Sequence, residues 1–258
     1  MGLRSARSGD SCSPTSSIHR AAGYDSGRKL RRPGLLVLYS AGMRVTVFGA
    51  SGRVGRRVVR QATARGHSVT AAVRPASGHL VSTGDQTRLC VCDVYAGHGV
   101  GQAIEGCDAV ISCLGIKRRN PYNPWSPIRS PEDLTARSTA NIVAAMKTHG
   151  VRKLACVSAA GVGESFSSVS LPIRWLIRYT NLAPAYRDLG RMESVLTGSG
   201  IESTALRPTT LLSVGPCRPA REVGAYKLWS WIPRASVARS LIDAIEGSAK
   251  GPSTLQIS

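Results

Sequence analysis

The stretch VTVFGASGRVGRRVV, residues 45–59, limits what this chain can fold into more than any other. A β-branched run ends at Gly49, and Gly52 and Gly55 follow in the spacing G-x-x-G-x-x-G. Val54, Val58, Val59 and Ala62 then recur at helical spacing, with Gly66 as a stop. A strand that turns through glycines straight into a helix opens a βα unit of a parallel sheet. In that context the loop gains a meaning that it lacks alone. Its backbone can approach a pyrophosphate closely, and the helix N terminus offers free amides and a positive dipole end. The bare alternative is a glycine turn that serves backbone geometry only.

The rest of the chain repeats the pattern. Strands are expected at Arg44–Phe48, Ser68–Val73, Arg88–Cys92, Ala109–Leu114, Lys153–Val157, Ser203–Leu206, near Ala225–Trp229 and at Thr254–Ile257. Helices are expected at Gly52–Arg65, from SPEDL to Gly150, at Pro184–Leu196 and at Ser236–Ile245. In SPEDL, Ser130 reads as N-cap, Pro131 as first helical residue and Asp133 as the closing member of a capping box. This alternation predicts an α/β fold: a doubly wound parallel sheet in a single domain over residues 43–258. Residues 1–42 read differently, rich in Ser, Arg and Gly with seven Lys/Arg against two Asp. They predict a disordered leader, either transit-like or the product of a start placed ahead of Met43.

Open α/β sheets bind ligands along the carboxyl ends of their strands, so the residues there are the candidates. Gly49, Ser51, Gly52, Arg53, Val54 and Gly55 form the phosphate loop, with Arg53 either a second cation or a solvated side chain. Arg74 ends the second strand, where NAD-preferring proteins place an acid; an arginine suits the 2′-phosphate of NADP. Asp93 follows the third strand, within reach of adenine, and Leu114 and Gly115 end the fourth, near the cofactor's central part. Ser158 tops the fifth, beside the expected nicotinamide.

FGASGRVG, VTAAVR, DAVISCLG, ANIVAAMKTHGVRKLACVSA and RMESVLTGSGIESTALRP together resemble the atypical short-chain dehydrogenase/reductases. Within that superfamily the chain is similar to the NmrA-like group and to the flavin reductase, or biliverdin-IXβ reductase, family. The resemblance runs from about Met43 to Pro208. It implies a Rossmann-type fold and NADP(H) in the glycine-rich cleft, with Arg74 on the 2′-phosphate and Asp93 and Val94 beside adenine. It also implies Ser158 near the nicotinamide as the catalytic-site residue, and Pro208 and Thr209 along the cofactor's far side.

The superfamily's Tyr-x-x-x-Lys pair is missing, since Gly190 stands four places after Tyr186. Carbonyl reduction with a tyrosine proton donor is thereby disfavoured. Hydride transfer to a flavin, quinone or similar conjugated acceptor needs alignment more than an acid, because the proton can come from solvent. A dinucleotide-sensing protein without turnover, binding a protein partner, is the alternative. The insert IKRRNPYNPWSPIR, residues 116–129, and the amphipathic LPIRWLIRY, Leu171–Tyr179, read as covers over that end. Tyr122, Trp125 and Trp175 are candidate stacking surfaces for a small-molecule acceptor, and Lys117, Arg118 and Arg119 candidate contacts for its carboxylates or phosphate.

The net charge of +19 raises nucleic acid as a partner, but no recognition motif accompanies it, and an anionic cofactor suits the same balance. No apolar run is long enough for a membrane span. The seven cysteines lack metal-ligand spacing and read as packing residues of a cytoplasmic protein, with no metal site. Organelle targeting is the alternative if residues 1–42 are a transit peptide.

Overall fold

The first strand shows how the sequence builds the sheet. In β1 (Arg44–Phe48) Val45 and Val47 pack on one face, while Thr46 and Phe48 serve the other. Thr46 Oγ1 spends its proton on the carbonyl of Ala103 at 2.6 Å, which lets a hydroxyl sit in the core. The same two-residue alternation places Val69, Ala71 and Val73 with the first face and Ala72 with the second.

The computed structural model describes residues 42–81, 84–227, 229–247 and 251–258. The expected leader lies outside these, apart from Gly42. After β1 come α1 (Gly55–Ala64), β2 (Ser68–Val73), β3 (Thr87–Val91), α2 (Val100–Ile104), β4 (Ala109–Ser112), α3 (Leu134–Thr148) and β5 (Lys153–Val157). Then follow α4 (Leu171–Tyr179), α5 (Ala183–Thr197), β6 (Glu202–Pro208), β7 (Thr210–Leu212), β8 (Trp231–Pro233), α6 (Arg234–Glu246) and β9 (Ser253–Ile257). Seven strands form one parallel sheet in the order β3-β2-β1-β4-β5-β6-β9. The order reverses between β1 and β4, and that switch opens a crevice at the carboxyl edge. The fold is thus the Rossmann-type doubly wound sheet that the alternation predicts.

Side chains of α1 and α6 (Val58, Val59, Leu241, Ile242, Ile245) bury against one face, and those of α2, α3 and α5 (Ile104, Ile142, Met146, Met192, Leu196) against the other. A smaller cluster of Ala160, Val169, Ile173, Ile177 and Tyr226 seats α4 above the sheet. Full burial of each large aliphatic side chain contributes about 1.5–3 kcal/mol, so both helical layers are held mainly by apolar area.

Several expectations need correction. Helix α1 starts at Gly55, not Gly52, because the Gly52 amide first donates back to the Gly49 carbonyl in a tight turn. Strand β3 lies one residue earlier than expected, and β4 stops at Ser112. SPEDL does not form a capping box: Ser130 Oγ accepts from the Lys117 amide at 2.9 Å, and α3 begins at Leu134. The buried carboxylate of Asp188, on α5, caps α3 instead. It accepts from the amides of Thr135 at 2.8 Å and Ala136 at 3.0 Å, and from the Thr135 hydroxyl. Residues 225–229 form no strand among those described. Tyr226 makes one bridge to Val169, and the pairing falls to β8, which pairs with the unexpected β7.

Candidate functional site

The glycine-rich loop packs too tightly for side chains. Gly49 has φ +71°, and a Cβ at Gly55 would lie 2.2 Å from the Gly49 carbonyl oxygen. This closeness brings the start of α1 down onto the ends of β1 and β4. Val54 stands at the N-cap with no side-chain hydrogen bond, and the first turn holds no acid. Ser51 and Gly52 line the turn half-buried, and Arg53 is exposed. The helix therefore presents its positive end at the crevice without a capping group of its own, which fits a bound phosphate.

Arg74 follows β2 in extended conformation and is exposed. Partial burial, and then the charge of Arg74, lower the pKa of Lys117 in the insert. Arg74 thus has a second cation within electrostatic reach, one to which the sequence did not point in that role. Asp93 Oδ1 accepts from the amides of Tyr95 and Ala96, both at 3.1 Å, and so closes the turn after β3. Val94 turns its side chain into the core, while its carbonyl accepts from Asn141 Nδ2 at 2.9 Å. Leu114 is half-buried against the same core, and Gly115 is exposed just beyond β4.

Ser158 is buried at the tip of β5, and its hydroxyl donates to Glu193 Oε1 at 2.6 Å. Glu193 comes from α5 and is gripped by Arg207 of β6, with Nε to Oε1 at 2.9 Å and Nη2 to Oε2 at 2.6 Å. Arg207 also pairs with the exposed Glu164 at 2.6 Å. These carboxylates hold the Arg207 guanidinium well above its ordinary pKa, and its charge holds Glu164 below the usual carboxylate range. Glu193 and Arg207 escaped the sequence reading. Their signal was present nonetheless: a glutamate beside Met192 on a helix's buried face, and an arginine inside the apolar strand STALRP. Two buried ionised groups need each other.

Pro208 ends β6, and its carbonyl accepts from the Ala160 amide at 3.0 Å. Thr209 Oγ1 is buried without a hydrogen-bond partner among the described residues, a spare polar atom at the carboxyl edge. Burial pushes the thiol of Cys156 up to about 12 and that of Cys113 higher still, so both stay protonated. Tyr186 donates to the Ala160 carbonyl at 3.3 Å, and burial raises its pKa as well.

The insert folds into a strap. Arg118 bridges Ile128, and its guanidinium is spent on the carbonyls of Asn123 and Pro121 at 2.9 Å. Tyr122 lies beside Arg53, whose Nη1 donates to its hydroxyl at 3.3 Å. At the other end, the Trp125 carbonyl accepts from Asn181 Nδ2 at 2.8 Å, just beyond α4. That helix carries Trp175 exposed, with its ring 5.8 Å from that of Tyr179. The strap therefore spans from the glycine-rich loop to α4. It brings Tyr122 to the loop and Trp125 towards the α4 end, rather than gathering all three aromatics at one point.

The sequence pattern of the NAD(P)H-binding family matches residues 49–247, from the first glycine of the loop to the end of α6. The chain belongs to that family. Among relatives within its reach is a 3-diazoavenalumate denitrifying reductase of Streptomyces, 28% identical over 179 residues. That match covers 67% of this chain and 58% of the relative, and the chain spans about three-fifths of the length of the curated relatives it matches first. Two solved structures share the NAD(P)H-binding fold. ChuY, an anaerobillin reductase of Escherichia coli O157:H7, aligns with TM-score 0.65 at 19% identity, over 83% of this chain and 96% of its own. A short-chain dehydrogenase/reductase of Veillonella parvula, in complex with NADP, aligns with TM-score 0.65 at 14% identity, over 84% and 94%. Among the described residues no helix is long and apolar enough to cross a membrane.

Proposed function

We propose that the protein is an NADPH-dependent reductase that passes hydride to a flavin, quinone or similar conjugated small molecule. The observation that carries this reading is the exposed Arg74 that follows β2, together with a start of α1 that has no side-chain cap and no acid in its first turn. An arginine in place of an acid at that position is suited to a 2′-phosphate. Bound NADPH supplies a hydride from its nicotinamide ring.

The chain's own residues hold and align. Gly49, Ser51, Gly52, Arg53, Val54 and Gly55 take the pyrophosphate, and the turn of Asp93 and Val94 lies against adenine. Leu114 and Gly115 follow the central part, while Thr209 offers its spare hydroxyl beside Pro208. Ser158 gives its proton to Glu193, so it serves the nicotinamide carboxamide as an acceptor. Tyr186 keeps its proton on the Ala160 carbonyl, and the acceptor draws its proton from water. Tyr122 and Trp125 on the strap, with Trp175, cover the acceptor.

Relatives named as reductases support the same class of chemistry. The free thiols of Cys90, Cys92, Cys107, Cys113 and Cys156 suit the reducing cytoplasm. The test is oxidation of NADPH by the full chain with FMN, riboflavin and a series of quinones. We expect turnover that depends on the acceptor and saturates with it. Tight NADPH binding with no acceptor-dependent turnover across the series would replace this reading with dinucleotide sensing.

A further inference from the structure

Three guanidinium groups meet beside the glycine-rich loop. Arg53 stands in the loop, Arg57 lies in the first turn of α1, and Arg234 opens α6. Arg57 Nη1 donates to the Arg53 carbonyl at 2.9 Å, and its Nη2 to the Ser213 carbonyl at 3.0 Å. Arg234 Nη1 donates to Ser213 Oγ at 2.7 Å. Arg53 donates to the Tyr122 hydroxyl at 3.3 Å, with its guanidinium 5.5 Å from the ring centre.

Every one of these acceptors is neutral. Among the described residues none of the three arginines has an acid within ion-pair distance. The charges feel one another: burial and then Arg53 and Arg57 pull Arg234 below its ordinary pKa, and Ser213 and Arg53 pull the Tyr122 hydroxyl down. Four separate segments hold these like charges together without an acid among the described residues, an arrangement that a bound anion would relieve.

The cluster's position says which anion. It is tied through Ser213 to β7, which follows directly on Pro208 and Thr209 at the nicotinamide end, while Arg74 and Lys117 serve the opposite end of the cleft. The Lys117-Arg118-Arg119 run is less suited to the task, because Lys117 lies towards Arg74 and Arg118 is committed to its own loop. We propose that Arg53, Arg57 and Arg234 form a binding site for the phosphate or carboxylate tail of the acceptor. The acceptor's planar body then lies over the nicotinamide, a placement that rests on the reductase reading above.

Two matched pairs of probes test the site on the NADP+-loaded full chain: FMN against riboflavin, and a naphthoquinone with and without a carboxylate side chain. Equilibrium binding at low salt is read, with no turnover required, so a protein that binds but does not reduce fails only the reductase reading. The charged member of at least one pair should bind about tenfold more tightly, as charge-assisted hydrogen bonds predict. That preference should vanish in Arg57→Gln/Arg234→Gln and return in part in Arg57→Lys/Arg234→Lys, which also shows that the fold survives. No preference in either pair, or a preference that persists in the double glutamine variant, overturns the proposal. So does a loss of NADPH affinity as large as the loss for the charged probe, since the cluster would then serve the cofactor.

Discussion

At the scale of single residues, the account rests on charge and close approach. On the proposed placement, Arg74→Glu would set a carboxylate against the 2′-phosphate. A titration should show NADPH affinity falling by about ten- to a hundredfold, the worth of one charged hydrogen-bonding partner, with NADH little affected. Equal losses for both cofactors would remove Arg74 from that role. Gly55→Ala probes the loop, because its Cβ would lie 2.2 Å from the Gly49 carbonyl and the neighbour is backbone. The loop must open, so dinucleotide binding should collapse and thermal unfolding report a loss of about 1–3 kcal/mol. Glu193→Leu leaves the Arg207 guanidinium buried with one exposed partner and frees the Ser158 proton. A cost of about 3–5 kcal/mol in chemical denaturation is expected for breaking such a buried pair. An unchanged midpoint would mean that water replaces the carboxylate without penalty.

Elements were legible in the sequence where their limits are local. Strands β1, β2 and β5 match their expected residues because each is a short apolar run that opens on a polar residue and stops at Gly49, Arg74 or Ser158. Helix α3 was misread at its start because its cap comes from Asp188, 52–53 residues further along and on another helix. Asp188→Ala should therefore unravel the first turn of α3 although it lies on α5. It strands three donors, and a drop of about 1–3 kcal/mol with faster amide exchange at Thr135 and Ala136 is predicted. The same distinction runs through the site. The glycine-rich turn was readable because seven consecutive residues, Gly49–Gly55, build it. The hold of Glu193 on Ser158 spans 35 residues, and the arginine cluster joins four segments, so neither leaves a local pattern. The insert was legible as a long segment of its own, but not in where it places Tyr122 and Trp125, which the contacts with Arg53 and Asn181 decide.

At the scale of the molecule, Arg53, Arg57, Arg74, Lys117 and Arg234 are five of the 34 cations behind the net charge of +19, and an anionic cofactor and an anionic acceptor tail would meet them. Glu164 and Asp108 belong to the opposite balance. Arg207 holds the first and Arg44 the second below the usual carboxylate range. A depressed carboxyl pKa adds stability above the unfolded value of about 4, and that contribution is lost as pH falls. Melting temperature should decline on acidification through that range, by less in Glu164→Gln/Asp108→Asn than in the native chain. The central claim, that this cleft delivers hydride from NADPH, is tested most directly by an anaerobic single turnover. Protein loaded with NADPH, either protonated or deuterated at the transferring position, is mixed with FMN or a quinone. The account predicts complete oxidation of the bound cofactor, slowed by deuterium. Bound NADPH that stays reduced in the presence of every acceptor would contradict it.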